Sequence, residues 1–431
     1  MAKQHSAPRR RAAAKRRARQ SAVRWFGVLL MAGMAVFCLG LLPRFLPAET
    51  IPVGGDEPPE SAVSTPEPAS SSESEPEPEP VVQTIRFSAT GDDLIHSPIY
   101  KQAARRASGN QSYDFDDCYA QVAPFYALQD INWINQETLC TDELEPSSYP
   151  CFSTPGECAR ALYRAGIRVF SLSNNHTYDK GASGLAATLR FWESMPEDVV
   201  TTGLWRGESD YDRIPLQTVQ GVTIAYLSYT EHTNGIPTSS SMPANVIYTS
   251  QTDVIERQVR AARQQADFVV VGVHWGVEDS HTIVDGQRTL AQQLADWGAD
   301  VIVGTHPHVL QDAQWLTTED DRQAFVAYSL GNFLSTQNKP DQLVGAILSL
   351  QLQKVTEPDG TVHCTVLEPK LLPTVTHYDA GKSNVRTYLF RDYTQELTKR
   401  HGVREKYSDF SLDTIQKIAQ NNISSDFLEL T

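Results

Sequence analysis

The chain has 431 residues, 40% of them apolar and 9% aromatic, with a formal net charge of −15. That length suits one large domain with accessories, or two domains, and the composition supports a substantial core. An acidic chain whose cations gather at one end is excluded as a nucleic-acid binder, because phosphate contacts need clustered Lys and Arg.

Residues 1–24 carry nine Lys/Arg and no acid, and the next 18 residues, "WFGVLLMAGMAVFCLGLL" at 25–42, carry no charge. At ~1.5 Å per residue such a run nearly spans a ~30 Å hydrocarbon core. The basic block stays in the cytoplasm, so everything after Leu42 is directed outward. This predicts a cytoplasmic tail, a single transmembrane anchor at 25–42 and an extracellular remainder. The rival, a cleaved signal peptide, has a shorter apolar region of ~7–15 residues and a small-x-small cleavage site, whereas here "PRFLP" follows.

Residues 43–83 include "GGDEPPESAVSTPEPASSSESEPEPEP". Pro, Glu and Ser with little to bury make a disordered, extended linker that holds a domain off the bilayer. The folded domain is expected over 84–378. Its apolar runs "TIRFSAT", "IRVFSLS", "VTIAYLSYT", "DFVVVGVHW", "ADVIVGT" and "AFVAYSL" read as strands covered on both faces. Helix patterns lie between them. "STPGECARALYRAG" reads as Thr154 N-cap, Pro155 at N1, Glu157 at N3 and a stop at Gly166. "TDVIERQVRAARQQA" and "QRTLAQQLADWGA" each carry one apolar face. The alternation implies an α/β domain with largely parallel pairing. A hairpin turning at Pro358-Asp359-Gly360 follows, then a polar C-terminal extension, 379–431, with a helix near Leu412–Ala419. Of the six cysteines Cys38 lies in the apolar segment. The other five contain no CxxC pair, and Cys140, Cys151 and Cys158 are close enough in sequence to bridge.

Each apolar run ends in polar residues. Asp92 and Asp93, then His96, follow the first; Gln136-Glu137 follow "DINWIN". Asn174-Asn175-His176 and Asp179 follow "VFSLS", His274 ends "FVVVGVH", and Thr305-His306-Pro307-His308 follow "VIVG". Ligands of α/β sheets sit beyond the carboxyl ends of strands. Imidazole nitrogens mixed with carboxylate and amide oxygens suit Mn, Fe or Zn. A bridging carboxylate can hold two such ions about 3.5–4 Å apart. Taken singly, a strand-end Asp reads as a turn cap and His274 as a core histidine; the ordered set reads as a metal site.

The set "TGDDLIH", "INQET", "SNNHTYDKG", "VHWGVE", "GTHPHVLQ" and "YSLGNF" resembles the CapA family of poly-γ-glutamate capsule biosynthesis proteins, a branch of the calcineurin-like metallophosphoesterases. The resemblance covers roughly residues 84–375. It implies a metallophosphoesterase-like β-sandwich flanked by helices, behind the N-terminal membrane anchor. It also implies two divalent metal ions: Asp92 on the first, Glu137 bridging, Asn175, His274 and His306 on the second, and His308 returning to the first. His176 would face substrate, with Asp179 orienting it. The family's pattern departs at Leu94, where metallophosphoesterases place a His, and His96 is expected to substitute. Glu278, His281 and Asn332 are further candidates near the centre. Two functions follow. One is a membrane-tethered hydrolase acting on a phosphoester or a γ-glutamyl amide of a cell-envelope polymer. The other is a non-catalytic component of a capsule synthesis or export complex.

Overall fold

A computed structural model describes residues 78–431. The predicted basic tail, the 25–42 span and the linker up to residue 77 lie outside them. Among the described residues no helix is long and apolar enough to cross a membrane.

Sixteen strands occur along these residues: β1 (Val81–Asp93), β2 (Ile131–Gln136), β3 (Cys140–Thr141), β4 (Thr154–Pro155), β5 (Val169–Ser171), β6 (Val200–Thr202), β7 (Leu216–Val219), β8 (Val222–Thr230), β9 (Phe268–His274), β10 (Val301–Thr305), β11 (Leu310–Thr317), β12 (Gln323–Leu330), β13 (Asn332–Leu334), β14 (Val344–Thr356), β15 (Val362–Asp379) and β16 (Ser383–Leu389). One sheet runs β16-β15-β14-β1-β2-β5-β6 with β13 also on β1; the other runs β11-β12-β10-β9-β8-β7. Within the first, β1, β2, β5 and β6 are parallel. Within the second, β8, β9, β10 and β12 are parallel. The fold is α/β with two mixed sheets.

Successive side chains on a strand point to opposite faces, and both faces of the second sheet are buried. Ile224, Tyr226, Phe268, Val270, Val301, Val303, Phe325 and Ala327 share one apolar cluster with Ile85 and Phe87 of the first sheet. Their neighbours Ala225, Leu227, Val269, Val271, Ile302 and Val326 pack instead with Ile255, Val259, Leu290 and Leu294 of the helices Thr252–Gln265 and Asp285–Trp297. This explains the unbroken apolar runs: one face fills the space between sheets, the other meets helices.

One expectation is corrected. Thr154 does not cap a helix. Thr154-Pro155 is strand β4, paired with Cys140-Thr141, and the helix is Glu157–Ala165 with Gly156 at its N-cap. Thr154 N donates to Leu139 O and its hydroxyl is spent on Thr138 Oγ1 at 2.7 Å, so sheet pairing took the groups that capping needs. The predicted stop does hold: Gly166 ends that helix at φ 116°. The C-terminal extension, 379–431, packs on the preceding strands. β16 pairs with β15, and Phe410, Ile415 and Ala419 lie in the inter-sheet core. Finally, Cys140, Cys151 and Cys158 are free thiols, as are Cys118 and Cys364.

Candidate metal centre

Parallel pairing brings the carboxyl ends of β1, β2 and β5 in one sheet, and of β8, β9 and β10 in the other, to the same end of the sandwich. Close backbone approach sets the first and last of these. A Cβ on Gly91 would lie 1.9 Å from Gly331 O, and one on Gly304 would lie 1.9 Å from Tyr328 O. Glycine alone fits there. The turn after β10 is held in unusual conformations, with His306 at φ 97° and His308 at φ 60° on either side of Pro307. Such backbone costs about 1–3 kcal/mol per residue and collects at functional sites.

Asp92, Glu137 and His308 are buried, with ligand atoms all within 4.8 Å of one another, and this group could hold a metal ion. His308 Nδ1 lies 3.0 Å from Asp92 Oδ2, and His308 Nε2 lies 3.6 Å from Glu137 Oε1. Asn135 Nδ2 donates to Asp92 Oδ1 at 2.8 Å, and the His306 backbone N–H points at both Asp92 oxygens. Glu137 itself has no hydrogen-bond partner on either carboxylate oxygen. Around its Oε1 stand His308 Nε2, His274 Nε2 at 3.9 Å and His176 Nε2 at 4.0 Å.

A second group meets the first at Glu137. His274 Nε2 is 3.1 Å from Asn175 Oδ1 and 3.1 Å from His306 Nδ1. A proton on that nitrogen can point at one of them, not both. Ligand atoms about 2.0–2.1 Å from one ion at tetrahedral angles sit about 3.3 Å apart, which matches. His274 Nδ1 lies 3.0 Å from Thr305 Oγ1, a partner that orients the ring and leaves Nε2 as the lone-pair donor.

The electrostatics agree with this division. Burial pushes His274 well below the usual imidazole value, and His306 and His308 push it further. Burial takes His306 down to about 2, again helped by His308. A neutral imidazole is the form that can offer a lone pair to a metal. Burial drives Glu137 well above the usual carboxylate range. For His308 burial acts downward, but the carboxylates of Glu137 and Asp92 outweigh it and hold the ring at about 10. Asp92, Glu137 and His308 thus form a buried group of ionisable side chains that could hold a metal ion.

His176 Nδ1 lies 2.8 Å from Asp179 Oδ2, which also accepts from Phe152 N at 2.6 Å. Asp179 is therefore fixed, and it turns His176 Nε2 toward Glu137. His96 meets this cluster through Phe152, whose ring lies edge-on to both His96 and His176. His96 Nδ1 accepts from Thr336 N at 3.3 Å and faces Leu94 O, so that nitrogen is already engaged, while Leu94 is a buried apolar residue. His281 is structural, bonded to Leu310 O and Asp341. Asn332 holds the turn through His308 O, while Glu278 is exposed nearby.

Sequence reasoning passed over Asn135, Thr305 as a ring orienter, Phe152 and His232. His232 packs edge-on against His306 with ring centroids 4.9 Å apart. The signal for Asn135 is its place two residues before Glu137; Phe152 has none, since it arrives from a loop.

A family model described as bacterial capsule synthesis protein PGA_cap matches residues 86–337. Capsule biosynthesis protein CapA of Bacillus anthracis is 35% identical over 190 residues, 43% of this chain and 44% of that protein. PGA biosynthesis protein CapA of Bacillus subtilis (strain 168) is 30% identical over 243 residues, 56% of this chain and 62% of that protein. The match thus spans about half the length of these curated relatives, 44% and 62%. Among solved structures, the NAD nucleotidase of Haemophilus influenzae overlays with a TM-score of 0.41 at 15% identity, covering 81% of this chain and 57% of that one. A putative 5'-nucleotidase from Staphylococcus aureus gives 0.37 at 15% identity, covering 66% and 54%.

Proposed function

This chain belongs to the bacterial capsule synthesis family PGA_cap, and from that premise we propose that its strand ends form a two-metal hydrolytic centre acting on an envelope polymer. The observation that carries the reading is Glu137, a fully buried carboxylate with neither oxygen bonded and three imidazole nitrogens within 4.0 Å of Oε1. Asp92 and His308 would hold one ion with Glu137. Asn175, His274 and His306 would hold the other. When bound, two divalent ions, Mn, Fe or Zn, would polarise the scissile group and make a water nucleophilic near neutral pH.

The chain's own residues would do the rest. Glu137 places its charge between the two groups. Thr305 and Asn135 keep the His274 and Asp92 ligand atoms aimed. His176, steadied through Nδ1 by Asp179, presents Nε2 to the leaving group and delivers or holds a proton there. The target would be a γ-glutamyl amide of poly-γ-glutamate or a phosphoester of the envelope. The domain would work outside the cell, tethered by the 25–42 span and its linker, alone or within a capsule synthesis complex.

A second reading, a non-catalytic assembly component, draws on Leu94 and the displaced His96, which leave the Asp92 group three protein ligands. Three ligands with an open position are also what a catalytic site keeps, so we favour chemistry. Elemental mass spectrometry of the purified protein tests this. Two equivalents of metal, lost in the Asn175→Ala/His306→Ala double variant, are expected. Metal content unchanged in that variant would remove the assignment. Asp179→Asn should keep its metal and lose about 10–100-fold in turnover, the range of a misaligned acid.

A further inference from the structure

We propose that Lys382 forms an oxyanion subsite on the rim of this centre, receiving a carboxylate that the substrate carries beside its reacting bond. The inference rests on the hydrolytic reading above and adds a substrate-charge requirement to it. Lys382 lies beyond the residues that the family model matches, in the segment between β15 and β16.

A continuous line of contacts joins it to the metal centre. Lys382 Nζ donates to Thr336 O at 2.6 Å. Thr336 N donates to His96 Nδ1 at 3.3 Å. The His96 ring stands edge-on to Phe152 with centroids 5.4 Å apart, and Phe152 stands edge-on to His176 at 4.7 Å. His176 Nε2 then faces Glu137 at 4.0 Å. Phe152 therefore makes one apolar wall between the proposed acid and the His96–Lys382 pair.

Three features describe the setting of Lys382. Its ammonium is half-buried and forms no ion pair among the described residues, although the chain is strongly acidic. Lys339, Lys354 and Lys417 each pair with an aspartate, whereas Lys370, also half-buried, donates to a backbone carbonyl and forms no ion pair among the described residues either. An ammonium has three donors; Thr336 uses one, leaving two for a ligand. Next, its backbone is held at φ 55°, following Gly381 at φ 67°. A non-glycine residue in this left-handed region costs energy and marks a constrained position. Lastly, Lys382 O accepts from Gln102 Nε2 at 2.7 Å, which ties the segment to the helix Ser97–Arg106 just beyond His96. Burial lowers the Lys382 ammonium somewhat and no carboxylate raises it back. A bound oxyanion would supply the missing counter-charge.

The proposed occupant is a carboxylate, and the test separates it from a phosphoryl group. Full-length protein supplemented with Mn(II) is titrated calorimetrically with γ-linked triglutamate, with its uncharged amide form and with phosphoserine. Wild type is expected to bind triglutamate at least tenfold more tightly than the amide, with affinity falling as salt rises. Lys382→Met should lose about tenfold for triglutamate and most of its salt dependence, whereas Lys382→Arg should keep both. A loss confined to phosphoserine would reassign the subsite to a phosphoryl group. Equal affinity of wild type and Lys382→Met for both anions overturns the proposal, provided thermal melts show both folded; Lys382→Arg supplies the comparison if Met unfolds. Metal content reads the hydrolytic reading separately. A protein without metal that still shows the Lys382 effect would sink the hydrolase and leave an anion-binding site.

Discussion

Glu137 concentrates the energetics of the site in one side chain. An unpartnered buried polar group costs about 1–3 kcal/mol, and more when charged. With chelator present, Glu137→Gln is therefore expected to melt no lower than wild type, and up to a few degrees higher. Adding metal at about a hundredfold excess over its dissociation constant should stabilise wild type by about 2.7 kcal/mol per site and leave Glu137→Gln nearly unmoved. Paired calorimetric scans check this, and a metal-dependent rise of equal size in the variant would clear Glu137 of any ligand role. Its neighbour Asp93 behaves differently. Burial raises it from 3.8 to about 7, against hydrogen bonds from Gln136, Tyr119 and Cys158. Because the folded value exceeds the unfolded one, the fold holds this proton more tightly. The stabilisation is complete below about pH 4 and is lost as pH rises through about 7. Asp93→Asn should be more stable than wild type by about 1–4 kcal/mol at pH 8, with the gap closing toward pH 4. Urea melts in chelator across that range measure it.

At the scale of elements, the site depends on how closely strands can approach. Gly304 lies in β10 against the Tyr328 carbonyl, one residue before the strand ends at Thr305 and the His306-Pro307-His308 turn begins. Gly304→Ala would force backbone from backbone, a shift that no rotamer relieves. A loss of about 3 kcal/mol or more is expected from such overpacking, together with falling metal content as His306 and His308 move. Denaturant melts and metal analysis on the same sample read both. Normal metal content with normal stability would show that β10 and β12 tolerate separation. The helix Glu157–Ala165 is instructive in another way. Its cap signal was local, but Thr154 had a second use in β4, and hydrogen bonds across the chain decided between them.

For the whole molecule, the described residues 78–431 belong to one unit whose core closes only with its last fifty residues. Phe410, Ile415, Ala419 and Ile423 pack with Val375, Tyr378 and Leu389 in the cluster that fills the space between sheets. Burying side chains of this size is worth about 1.5–3 kcal/mol each, against a total stability of about 5–15 kcal/mol. Ending the chain after Tyr378 should therefore abolish soluble, cooperatively folded protein. Circular dichroism and proteolysis would show it. A cooperatively melting product of that length would make 379–431 an appendage after all.

Periodicity and strand-end chemistry were enough to read the α/β class, the strand runs and the side chains Asp92, Glu137, Asn175, His176, His274, His306 and His308. Those signals lie within a few residues of one another, where local geometry carries them. The sequence by itself also yields the amphipathic helices and the turn at Pro358-Asp359-Gly360, because each depends on neighbours in the chain. Only the tertiary structure decided that His96 turns Nδ1 to Thr336, that Thr154 joins a strand, that five cysteines stay free, and that Lys382 bonds to Thr336. Each of these is a choice among partners far apart in the chain. Packing and hydrogen-bond competition settle such choices after the strands have met, and no spacing along a sequence encodes which partner wins.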